Sequence, residues 1–184
     1  SLAIGVWMTG LEYGQKTMRR TLSRNPNRLN LIATKLAVAM LATTALTVIA
    51  TVVAAPLLAL AASGSDSGIP VGDTLRFGLG MLMTNFVYTM VGFSLGLATR
   101  SMAGGMTIAL AFFFVFDGAL KAIPKAGDFM LSSVNVEIFQ KIVGTELAGT
   151  DVEVHLVQAI LVSAVWVAAF VGLSSFRFLR SDID

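Results

Sequence analysis

Few side chains in this sequence could do chemistry, and their spacing narrows the options further. Asp117 and Lys121 stand four residues apart, a separation that puts both on one helix face. A charge at the centre of a bilayer costs about 2.5 to 3.5 kcal/mol and often marks function, so one reading makes this pair a contact on a substrate path. The other makes it a structural ion pair whose ends snorkel to the interface. His155, the only histidine, stands beside Asp151 and Glu153. A metal centre wants several converging ligands, so the expectation is a solvated imidazole and no metal. The chain has no cysteine, hence no disulfide and no thiolate ligand. It also lacks a Gly-x-x-x-x-Gly-Lys-Ser/Thr phosphate loop. The chain is therefore expected to be no enzyme, to hold no catalytic residue and to carry no cofactor of its own.

The elements that must position these residues follow from composition. Of 184 residues 55% are hydrophobic and 13% charged, with mean hydropathy +0.79, whereas a soluble domain carries roughly 25% charge. A soluble globular domain is excluded, and the expected fold class is all-α: a polytopic transmembrane helix bundle forming a single domain, because in lipid each helix satisfies its own backbone. No alternating strands suggest a barrel. Uncharged stretches run over 36–65, 77–99, 101–116 and 156–176, against about 20 apolar residues needed to span. The third is long enough only if it continues past Asp117. The spans are placed at 32–62, 74–99, 102–123 and 154–176, with Pro56 expected to kink the first near its far end. Residues 1–11 are expected to be the end of a helix that begins before Ser1. The apolar run comes first and the basic residues after it, the reverse of a secretory signal.

Basic residues set the orientation. With residues 12–35 in the cytoplasm, that side collects Lys16, Arg19, Arg20, Arg24, Arg28, Lys35, Arg100, Arg177 and Arg180, nine of the thirteen cations. The opposite side keeps Arg76, Lys121, Lys125 and Lys141. The positive-inside rule then predicts a cytoplasmic C-terminus in the cell inner or plasma membrane. The pI near 9.2 thus reflects membrane orientation, and no nucleic-acid partner is expected. The Gly-Ser-Asp-Ser-Gly run that begins at Gly64 reads as a flexible turn in an outer loop from Gly64 to Asp73. Residues 124–153 form a longer outer loop whose Phe129, Met130, Leu131, Ile138, Phe139, Ile142 and Val143 keep roughly helical spacing, predicting short helices on or dipping into the outer surface. Gly92 and Gly96 make one Gly-x-x-x-Gly, either a point of close helix approach or chance spacing. The phenylalanines, including Phe112 to Phe114, look like lipid-facing and packing residues.

Residues 12–26 hold the most informative order. As a helix, they place Met18 and Leu22 on one side and Lys16, Arg19, Arg20 and Arg24 on the other. Asn25-Pro26-Asn27 then breaks the helix before a second one rises into the membrane. Attraction to anionic lipid, at about 1 kcal/mol per cation, accounts for the charge and leaves the order unexplained.

That order resembles the coupling element of permease subunits of the type-2 ABC exporter family. Glu12, Tyr13, Thr17, Arg19, Arg20, Leu22, Ser23, Pro26, Arg28 and Lys35 match in sequence, with Lys16 where the family has glycine. Leu97-Ala98-Thr99-Arg100-Ser101 resembles the family's tight cytoplasmic turn. Phe176-Arg177-Phe178-Leu179-Arg180-Ser181-Asp182-Ile183 resembles its C-terminal ending. The resemblance covers essentially the whole chain, lacking the family's first helix and most of its second. It implies a membrane permease that forms an export path, pairs with a second permease as homo- or heterodimer, and binds two ABC-type ATPase subunits that hold ATP and magnesium. It further implies that Glu12, Tyr13, Thr17, Arg19, Arg20, Leu22, Arg24 and Arg28 make the ATPase contact, although Glu12 could equally pair with Lys16. The alternative function is a non-transporting scaffold subunit of a membrane complex; an intramembrane enzyme has too few candidate groups.

Overall fold

The computed structural model describes residues 1–14, 28–62, 71–121, 123, 126–144 and 156–180. Among these, every regular element is a helix: α1 (Leu2–Gly14), α2 (Arg28–Ala62), α3 (Val71–Thr99) and α4 (Met102–Ala111). A π-helical segment (Phe112–Asp117) and a last turn, α5 (Gly118–Lys121), continue α4. A 3-10 turn (Gly127–Phe129), α6 (Leu131–Val143) and α7 (Leu156–Arg180) follow. Four stretches, Asn30–Leu57, Gly72–Thr99, Met102–Lys121 and Leu156–Phe178, are long and apolar enough to cross a membrane, which makes this a membrane protein. α2 runs without a break through Pro56.

Several threonine hydroxyls inside the spans are satisfied without water. Thr44, Thr47, Thr51, Thr89 and Thr99 each donate to the carbonyl four residues back, at 2.8 to 2.9 Å. This self-satisfaction lets threonine sit in a lipid-embedded helix at little cost.

α3 is the axis of the bundle and packs against α1, α2, α4, α6 and α7. Some 44% of its most apolar window is buried, against 17%, 17% and 11% in the other three spans, whose outer faces meet lipid. Lipid tails are as apolar as leucine, so close backbone approach and polar contacts must hold such helices together. Both occur along α3. A methyl group at Gly92 would collide with the Leu2 carbonyl, and one at Gly96 with the Thr9 hydroxyl. The Gly-x-x-x-Gly pair is therefore the seat of α1 within the same chain. On the α2 side, the Thr43 and Thr89 hydroxyls bond at 2.9 Å and Asn85 Nδ2 donates to Thr47 Oγ1 at 3.0 Å.

The chain turns back into the bundle beyond Lys121. Gly127 lies against the Lys121 backbone, and Trp166 Nε1 of α7 donates to the Phe129 carbonyl at 2.9 Å. Leu131, fully buried, joins an apolar cluster with Val91, Leu95 and Ala109. Further along, Phe139 and Val143 reach Gly80. α6 therefore starts deep and runs back outward, antiparallel to α3. It ends at Gly144, whose φ of 76° is the left-handed helix stop.

Candidate functional site

Two places answer to the residues singled out by sequence. The first is the Arg100 end of the bundle. Ile32 of α2, Phe93 and Leu97 of α3, and Phe178 of α7 form one buried cluster there, with Met8 of α1 packed onto it. The middle of α1, the start of α2, the end of α3 and the end of α7 thus meet in apolar contact. Gly10 of α1 abuts Met102 at the start of α4, closer than a methyl group would allow. The turn joining α3 to α4 is as short as two antiparallel helices permit. Arg100 takes a φ of 54°, and its N-H donates to the Gly96 carbonyl at 3.0 Å. Ser101 caps α4 by accepting from the Gly104 N-H at 3.3 Å. A left-handed arginine costs about 1 kcal/mol, so this turn is held by what surrounds it.

Three of the expected ATPase-contact residues lie on described helices. Glu12 and Tyr13 lie in the last turn of α1, and Arg28 opens α2. Thr17, Arg19, Arg20, Leu22 and Arg24 fall outside the described residues, as do His155, Asp151 and Glu153. The described residues on either side of the segment are Gly14, which ends α1, and Arg28, which opens α2; the same two helices contribute Met8 and Ile32 to the apolar cluster with Leu97 and Phe178.

The second place is the Lys121 end. Asp117 is 3% exposed and its carboxylate lies 3.7 Å from Lys121 Nζ, which is itself 42% exposed. The pair expected from the i, i+4 spacing therefore exists. Asp117 does more than pair, however. It accepts from the Ser132 backbone N-H at 3.4 Å and from the Ser132 hydroxyl. Ser132 is the second residue of α6, whose N-cap Met130 offers no side-chain cap of its own. The carboxylate of one element thus caps the buried helix of another. A helix N-terminus carries about half a positive charge, and an anion there is worth up to ~2 kcal/mol when partly buried. These are the partners a buried carboxylate requires, and they favour the structural reading of the pair.

The π-helical segment explains how Asp117 reaches Ser132. Each wide turn advances the face of the helix differently from an α-turn, so the residues after Ala111 are rotated relative to α4. Phe114 and Val115 face outward at 79% and 67% exposed, while Asp117 turns in. Phe112 anchors the segment, meeting Phe113, Trp166 and Phe170 edge-on at ring separations of 5.3 to 5.6 Å. The sequence reading missed Ser132 as the partner of Asp117. It also left Glu137 in the outer loop, where α6 holds it 4% exposed. The available signal was Ser132-Ser133 opening an apolar stretch of helical spacing, the usual look of a helix start.

Comparison with protein-family models, curated proteins and solved structures finds no match.

Proposed function

We propose that the chain is the permease subunit of an ATP-driven exporter of the type-2 ABC kind, with residues 12–28 as the element that receives the push of separate ATPase subunits. The order of residues from Glu12 to Lys35 supports this reading. The observation that carries it is mechanical: the helices on either side of the segment, α1 and α2, both pack into one apolar cluster that also contains pieces of α3 and α7. A force on such a segment reaches four helices at once. Close-packed apolar contacts transmit it, because packed interiors are poorly compressible.

The export path on this reading lies between this chain and a second permease, along outward apolar faces such as Leu41, Val48 and Val52 of α2. Nucleotide and magnesium belong to the ATPase partners. Asp117 and Lys121 serve as a structural pair that holds α6, and the path is lined elsewhere.

The direct functional test replaces Glu12 by Ala in the full-length protein reconstituted with its ATPase. Export should fall to background while the amount of protein in the membrane and its thermal unfolding stay unchanged. Full export by this variant would remove Glu12 from the coupling contact.

A further inference from the structure

We propose that the cleft between α2 and α3 at their Asp73 end binds one phospholipid whose headgroup carries both a phosphate and a primary ammonium, as phosphatidylethanolamine does. The cleft encloses about 160 Å³, comparable to the ~150 Å³ cavities that accept the six carbons of benzene. It is made by small residues, Thr51, Ala54 and Ala55 on α2, facing Phe77 of α3 and Val143 of α6, with Asp73 at the rim. Phe77 cannot fill the space, because it is held edge-on against Phe139 at 5.5 Å. A cleft lined by methyl groups and an aromatic ring takes hydrocarbon, and in a membrane that hydrocarbon is an acyl chain.

Asp73 at the rim and Arg76 beside it select the headgroup. Asp73 and Arg76 lie at the start of the span Gly72–Thr99, at the depth where headgroups begin. Their closest atoms are 3.8 Å apart, beyond hydrogen-bond length, and their side chains are 53% and 64% exposed. So exposed a pair is worth little, and each side chain is available to another partner. A guanidinium takes a phosphate through two parallel hydrogen bonds, and a carboxylate accepts from an ammonium. One cation beside one anion therefore matches a zwitterion with N-H donors. Phosphatidylglycerol offers a phosphate to Arg76 but no cation to Asp73. Phosphatidylcholine supplies a cation that cannot donate.

The test is native mass spectrometry of the full chain released from vesicles holding equal parts of the three lipids with identical acyl chains. Wild type should retain one phosphatidylethanolamine, favoured about fivefold over either rival, a difference of ~1 kcal/mol. Asp73→Asn and Arg76→Gln alter exposed side chains and should keep the fold while levelling the preference. Ala55→Leu fills the cleft and should lower the retained lipid by one whatever its headgroup. Equal retention of the three lipids by wild type, or an unchanged preference in Asp73→Asn, would overturn the proposal. These lipid preferences are independent of ATP-driven export, so either reading can fail without the other.

Discussion

At the residue scale the decisive group is Asp117, because burial removes every partner that water would supply. Its carboxylate accepts twice from Ser132 and lies 3.7 Å from the Lys121 ammonium, an ion pair beyond hydrogen-bond length. Replacing Asp117 by Ala leaves the α6 start uncapped and should destabilise the protein by about 2 kcal/mol. Lys121→Met should cost well under 1 kcal/mol, since an ammonium 42% exposed regains water. Thermal unfolding in detergent of the two variants checks this ranking. Equal small losses would instead favour two independent groups lining a path. The Asp117–Lys121 pair was legible in the sequence from spacing alone. Ser132 was not, because its bond to Asp117 spans 15 residues and depends on a reversal of the chain that no local pattern announces.

At the element scale, two irregularities position everything else. The π-helical Phe112–Asp117 turns Asp117 inward. Deleting Val115 should restore regular α-helical hydrogen bonding and swing the downstream face by about 100°. The result should match the loss of stability in Asp117→Ala, with no further loss when the two changes are combined. Additive losses in that comparison would mean that the segment serves a different purpose. The second irregularity is the glycine seat of α1. Gly96→Leu places a branched side chain where Thr9 now sits. It should cost at least 1 to 3 kcal/mol, as overpacking does, and should raise hydrogen exchange in α1 before it does so in α2. The four spanning helices were plain from uncharged length, because lipid burial demands long apolar runs. The π-segment was not, since a run of Phe112, Phe113 and Phe114 fits α- and π-turns alike. Gly92 and Gly96 were visible as a motif, but the sequence could not tell a seat for α1 from a contact with another chain or from chance.

At the scale of the whole molecule, α3 collects the other helices and the Arg100 end brings four helices together around Ile32, Leu97 and Phe178. Periodicity and charge carried the bundle architecture because they are properties of each span separately. The inward dip of α6 depends on contacts among α3, α4 and α7 together, and the sequence gives such many-body packing no signature of its own. The exporter reading extends this architecture through the order of residues 12–28, and its partner can be sought directly. The chain contains no cysteine, so Arg20→Cys introduces a single thiol. Crosslinking that thiol in native membranes should yield an adduct with an ATPase carrying a phosphate loop, while a membrane-impermeant thiol reagent applied from outside leaves Arg20→Cys unlabelled. Labelling from the exterior with no ATPase adduct would contradict the account.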